Sequence, residues 1–143
     1  MIHIWIGRGR KLAQGELVVC SGPFFTIEWG LDASGNCQAR DYYYALMEAE
    51  RAKALALFAL MANIGRIYDT TKFHRETRKL YVFKPQPSRF FCFFMKGKRI
   101  IVVSAYRKQG QKTPEREIER AEKLMGEVLQ EVRDDEAGRK ERK

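Results

Sequence analysis

The side chains in this 143-residue sequence best suited to chemistry are cationic, and they sit close together in the chain. Arg89 heads the run Arg89-Phe-Phe-Cys-Phe-Phe94. A guanidinium at the start of a central strand can meet two oxygens of one phosphate at once. His74 is one of two histidines and the group on this stretch that titrates near neutrality, so it is the candidate acid or base. Tyr106 offers a ring for stacking and a hydroxyl for proton transfer. Lys84 and Arg107 are placed to hold flanking phosphates, with Lys72, Arg78 and Lys112 as further backbone contacts and Lys108 just past the last strand. Each also has a plainer reading. Arg89 reads as a strand cap in a surface ion pair, His74 as an exposed histidine, and Tyr106 as packing at the edge of the core.

Charge gives this group its weight. Between Arg66 and Lys112 thirteen Lys and Arg face only Asp69 and Glu76, a net +11, whereas the whole chain carries +9. The basicity is therefore local, which is what a binder of polyanions needs.

The elements that must position these residues are three strands, Leu80–Lys84, Arg89–Met95 and Arg99–Tyr106, rich in aromatic and β-branched residues. Pro85 and Pro87 interrupt pairing between the first two, because proline has no N–H to give a ladder. Lys96-Gly97-Lys98 makes a hairpin turn between the second and third. Upstream, Thr26–Leu31 alternates as a strand and Asp32–Asn36 is turn chemistry. Arg40–Ile64 reads as helical, with a change of pattern near Met47–Ala49 that predicts a kink or two helices, and Gly65 suits a left-handed end. At helical spacing at most one or two of Tyr42-Tyr43-Tyr44 share a face, and core packing is the preferred reading over stacking on a base. Arg66–Lys79 reads as a polar connector. Thr113 is the expected N-cap of a last helix and Pro114 its first turn, followed by an amphipathic stripe from Ile118 to Val132. The expected fold is α+β: a small antiparallel sheet, a three-stranded meander plus an N-terminal strand, packed with helices. Residues 26–132 form a single domain. Residues 1–25 are an extension with room for an extra hairpin around Arg8, Arg10 and Lys11, and residues 133–143 a charged flexible tail.

Composition narrows the classes. The longest apolar run, Ala54–Ala62, falls short of the roughly 20 residues that span a bilayer, and Met1–Ile6 lacks a signal peptide's basic lead and length. Cys20, Cys37 and Cys92 are scattered, without a Cys-x-x-Cys, so neither a zinc site nor a disulfide framework is expected. Cys92 reads as an inert core thiol. The expectation is a soluble cytoplasmic protein without metal or cofactor.

Several stretches resemble the RelE/HigB-like toxins of type II toxin–antitoxin systems, above all their phage-related branch. They are Thr26-Ile-Glu-Trp29 with Asp32-Ala-Ser-Gly35, Leu80-Tyr81 opening a strand, and Arg89 heading an aromatic strand. Ala105-Tyr106-Arg107-Lys108 then leads to Gln111-Lys112-Thr113-Pro114 and Glu117-Ile118. The likeness spans Phe25–Glu131 and is most specific from Arg107 to Ala121. It departs from the family after Tyr81, where Val82-Phe83-Lys84 replaces a common Glu-Leu-Arg, and in the 25 residues before the usual start.

The resemblance implies a metal-independent endoribonuclease that cuts mRNA on the ribosome, inhibits translation and is held inactive by a cognate antitoxin. By position it assigns Lys108 a catalytic role beside Arg89, with Tyr106 and His74 as the further candidates. The antitoxin is expected to lay an acidic, amphipathic segment over the basic sheet face or the C-terminal helix. The alternative is a non-catalytic RNA- or ribosome-binding module on the same fold, which the missing carboxylate and the scarcity of histidine favour.

Overall fold

The structure, a computed structural model, describes residues 3–6 and 10–141. In chain order the elements are β1 (His3–Ile6), β2 (Arg10–Ala13), a 3₁₀ turn (Gln14–Leu17), β3 (Val18–Ser21), β4 (Thr26–Trp29), α1 (Gln38–Ala45), α2 (Glu48–Ile64), β5 (Phe73–Arg75), β6 (Tyr81–Phe83), β7 (Ser88–Met95), β8 (Arg99–Arg107) and α3 (Glu115–Glu141). The fold is α+β, with a larger sheet than the sequence suggests: six strands in the order β3-β4-β8-β7-β6-β5. The long apolar runs form the middle. β7 and β8 pair along their whole lengths as a hairpin, from Ser88 opposite Arg107 to Met95 opposite Arg99, with a bulge at Phe91/Cys92. Gly97 and Lys98 both take positive φ in its turn.

Two strands escape a pattern reading, β5 for want of apolar residues and β3 because its short apolar run Val18–Cys20 lies before the expected domain. β5 lies inside the stretch read as a polar connector, with Phe73 as its one apolar residue, yet it pairs with β6. β3 lies inside the stretch read as an extension and pairs with β4 at the sheet's other edge. The expectation of a purely antiparallel sheet is corrected too. β4 runs parallel to β8, Thr26 opposite Arg99, because the chain crosses through both helices and three strands before it returns. β1 and β2 form a separate antiparallel hairpin, His3 opposite Ala13; Arg8 lies outside the described residues.

Strand alternation gives the sheet two apolar faces, and helices cover both. Phe83, Phe90, Cys92, Ile100 and Val102 meet α1 and α2, centred on Phe58, whose ring stands edge-on to Phe83 at 4.9 Å and to Phe90 at 5.3 Å. Val82, Phe91, Phe93, Ile101 and Val103 meet the stripe of α3 built on Ile118, Ala121, Met125 and Val128. Burial pushes the Cys92 thiol well up, as befits a core residue.

The helical stretch is two helices. Leu46 and Met47 are both extended, and Arg51 closes the break by donating to the carbonyls of Leu46 (3.0 Å) and Tyr44 (3.3 Å) at the negative end of α1. Gly65 ends α2 at φ 85°, with its N–H on the Met61 carbonyl. Tyr43 is buried against Trp29, Tyr42 bonds Ser88 at 2.7 Å, and Tyr44 is exposed. α3 continues past Val132 through the residues read as a tail. Glu, Arg, Lys and Ala are good helix formers, and Gln130 bonds Asp134 one turn on. Among the described residues no helix is long and apolar enough to cross a membrane.

Candidate functional site

The strand register brings the chemically able residues to one end of the sheet. Arg89 lies opposite Tyr106. Phe83 lies opposite Phe90, so Lys84, the next residue, comes level with Arg89. The Lys84 N–H reaches the Lys72 carbonyl at 2.8 Å, and the Lys108 N–H reaches the Pro87 carbonyl at 2.9 Å. Lys72, Lys84, Arg89 and Tyr106 thus form one row across four strands. Alternation puts Arg89 and Tyr106 on the α3 side, beyond Phe91 and next to the start of that helix, whereas Lys72 and Lys84, just outside β5 and β6, also border α2.

Arg89 is the unusual member. It is 6% exposed, yet among the described residues no carboxylate pairs with it. Its Nη1 donates to Thr113 Oγ1 at 3.1 Å and, weakly, to Tyr106 Oη at 3.5 Å, and its buried Nε has no partner. The reading of Arg89 as a cap in a surface ion pair is therefore corrected. A buried cation without a counter-ion is costly, and such a group is expected to take an anion. Thr113 Oγ1 accepts from Arg89, and among the described residues no N–H of α3 donates to it, so Thr113 is not the N-cap of α3. Pro114 holds that place, its carbonyl accepting from the N–H groups of Glu117 and Ile118. The positive end of α3 adds to the field at the same corner.

The neighbours sharpen this. Burial lowers the Lys84 pKa, and the charges of Arg89 and Lys108 lower it further, against Glu76 and Asp69 pulling up. Lys84 is therefore close enough to both Arg89 and Lys108 to be repelled by each. On the same face, one row back, His74 lies opposite Val82. It is half-buried rather than free, with Nε2 2.5 Å from Glu76 Oε2. Glu76 escapes a reading by residue type, since an acidic residue in a basic stretch looks like a solubilising charge. A signal was present in its spacing: two residues after His74 on a strand is the same side.

Other candidates fall elsewhere. Arg107 is on the opposite face, in a two-pronged pair with Glu50 of α2 at 3.2 and 3.3 Å. Arg78 sits in the turn between β5 and β6, at the other end of the strands, where its carbonyl accepts from Arg75. Lys112 is exposed beside Thr113, and Lys72 is exposed at the rim. The +11 stretch is in fact divided. Lys96, Lys98 and Arg99 lie at the far end of β7, roughly 23 Å from Arg89 at about 3.3 Å per residue, and Arg99 is held by Glu28 at 2.7 and 2.9 Å.

The corner is braced by groups that sequence reasoning missed. β4 stops at Trp29, opposite Val102, so the outer edge of β8 beyond it lacks a strand partner. The Gln38 amide replaces that strand, accepting from the Ala105 N–H at 2.7 Å and donating to its carbonyl at 2.9 Å, and Arg120 donates to the same carbonyl at 3.0 Å. Tyr106 and Lys108 are thereby held in place from behind.

No curated protein matches the chain. A family model does, over residues 41–126, a span that holds Glu50, His74, Glu76, Lys84, Arg89, Tyr106, Lys108 and Thr113 together with most of both cores. That span is well over half of the sequence, and the chain belongs to the family described as phage derived protein Gp49-like (DUF891), which is associated with the toxins of toxin–antitoxin systems.

Proposed function

We propose that the protein is the toxin of a type II toxin–antitoxin system, RelE/HigB-like in its chemistry: a metal-independent endoribonuclease that cuts mRNA on the ribosome. The observation that carries this reading is the buried, counter-ion-free guanidinium of Arg89 with Lys84 and Lys108 beside it.

Cleavage proceeds by attack of the ribose 2′-oxygen on the adjacent phosphorus, through a pentavalent phosphorane, with departure of the 5′-oxygen. Arg89 and Lys108 stabilise the phosphorane, since fixed donors in a partly buried site act most strongly on charge that grows in the transition state. Lys84 holds the flanking phosphate. Tyr106 accepts from Arg89, which leaves its own proton free for the departing oxygen. His74 is the general base, and Glu76 orients its ring. Lys72 and Lys112, exposed at the rim, guide the RNA backbone. Arg107 and Arg78 are not part of this centre.

One observation favours the second reading, a non-catalytic RNA- or ribosome-binding module. The only histidine of the site stands two strands from Arg89, with β6 between them. Mapping mRNA ends in a translation extract separates the two. The wild-type protein is expected to produce new ends. Arg89→Ala and Lys108→Ala, checked as folded by circular dichroism, are expected to lose cutting by on the order of 10²–10³-fold. Arg107→Ala is expected to retain it. Inhibited translation without new ends establishes the binding module instead.

A further inference from the structure

Next to the Arg89 corner, a cleft of about 470 Å³ opens between α2 and the chain around β5 and β6. Its floor is aliphatic: Leu57, Leu60 and Pro85. Its rim is cationic: Lys53 from α2, Lys72 before β5, and Lys84 after β6. None of the residues lining it is acidic. Leu60 is 41% exposed, more than a leucine in a packed helix needs to be. Lys84, just past the end of its strand, belongs to both this cleft and the anion corner.

We propose that the cleft docks an acidic, amphipathic peptide segment of a partner protein. Leucine-like side chains of that segment seat against Leu57 and Leu60, and its carboxylates lie over Lys53, Lys72 and Lys84. Charge complementarity selects the occupant. Three ammonium groups around an apolar floor match a helix or strand with carboxylates beside branched side chains. A nucleic acid strand fits less well, because the lining has neither an aromatic ring nor an arginine on which a base could stack. A second copy of this chain brings +9 to a basic rim. Occupation has a consequence for the neighbouring site: a carboxylate on Lys84 withdraws one cation from the anion corner. That consequence rests on the proposed role of Lys84 as a phosphate contact; the docking itself does not.

The test is a two-dimensional NMR titration of the full chain with a synthetic 14-residue peptide of leucine and glutamate at amphipathic spacing. A Glu→Gln analogue and a Leu→Ser analogue serve as controls. Shift changes are expected to concentrate on residues 53–60 and 71–86. Affinity is expected to fall at least tenfold with either analogue and in Lys53→Glu or Leu60→Glu, two exposed substitutions outside the anion corner. Inorganic phosphate is expected to perturb Arg89 less when the peptide is bound. Absence of shifts at millimolar peptide, shifts mapping elsewhere, or affinity indifferent to both variants overturns the docking. An oligoribonucleotide that perturbs these residues where the peptide does not overturns it in favour of a nucleic acid subsite. Peptide binding that leaves phosphate unaffected overturns the coupling through Lys84. Absence of ribonuclease activity leaves the titration result intact, so the two readings fail separately.

Discussion

At the scale of single residues, Arg89 holds function and stability in opposition. A buried guanidinium with a free Nε burdens the folded state, and an apolar side chain of similar length removes the burden. Arg89→Met is therefore expected to stabilise the fold by about 1–3 kcal/mol in urea unfolding while abolishing cleavage. The wild type is expected to gain melting temperature with added inorganic phosphate, by mass action on an anion site, and Arg89→Met to gain none. Lys84 gives the pH counterpart. Its folded pKa lies below its unfolded value, first through burial and then through Arg89 and Lys108. Below the folded pKa the penalty is fully present. It is relieved as pH rises from the folded pKa towards the ordinary lysine range, where the unfolded chain still holds the proton. Stability is thus expected to climb with pH across that alkaline window more in the wild type than in Lys84→Met. Lysine side-chain NMR is expected to show the Lys84 titration moving upward when phosphate binds.

At the scale of elements, the sequence displays what hydrophobic periodicity and punctuation can display. The β7–β8 hairpin, the break before Glu48, the stop at Gly65 and the inward stripe of α3 are all legible. β5 and β3 are not: β5 has Phe73 as its one apolar residue, and the short apolar run Val18–Cys20 of β3 does not by itself say that it pairs with β4 a few residues on. The candidate site divides the same way. Residue type points to Arg89, Lys84, Tyr106, Lys108 and His74. Only register reveals that Arg107, one residue from Tyr106, faces the other way to meet Glu50. Only tertiary contact reveals Gln38, and its position makes it testable. Gln38→Ala leaves the Ala105 N–H without a partner and is expected to cost about 1–3 kcal/mol. Because β8 carries Tyr106 and Lys108 just beyond that point, cleavage is expected to fall as well, while Arg107→Ala, on the same strand but facing Glu50, is not expected to change it.

At the scale of the whole molecule, charge is divided between two ends of one sheet, and only one end carries the buried arginine. Salt dependence separates them. If Lys84, Arg89 and Lys108 each displace a counter-ion from single-stranded RNA, the logarithmic slope of affinity against salt is roughly −2, at about −0.7 per contact. Lys96→Ala with Lys98→Ala, at the far turn, is expected to leave that slope unchanged, whereas Lys108→Ala lowers its magnitude by about 0.7. The topology has a further bearing on when the site assembles. β8 is the last strand of the sheet to be synthesised, yet it lies in the middle, between β4 and β7. A growing chain on its own ribosome therefore cannot close the sheet, or bring Tyr106 and Lys108 beside Arg89, until nearly every element has emerged. On the proposed function, the nascent polypeptide passes through an interval of translation without its activity, during which α2, already emerged, is open to the proposed partner.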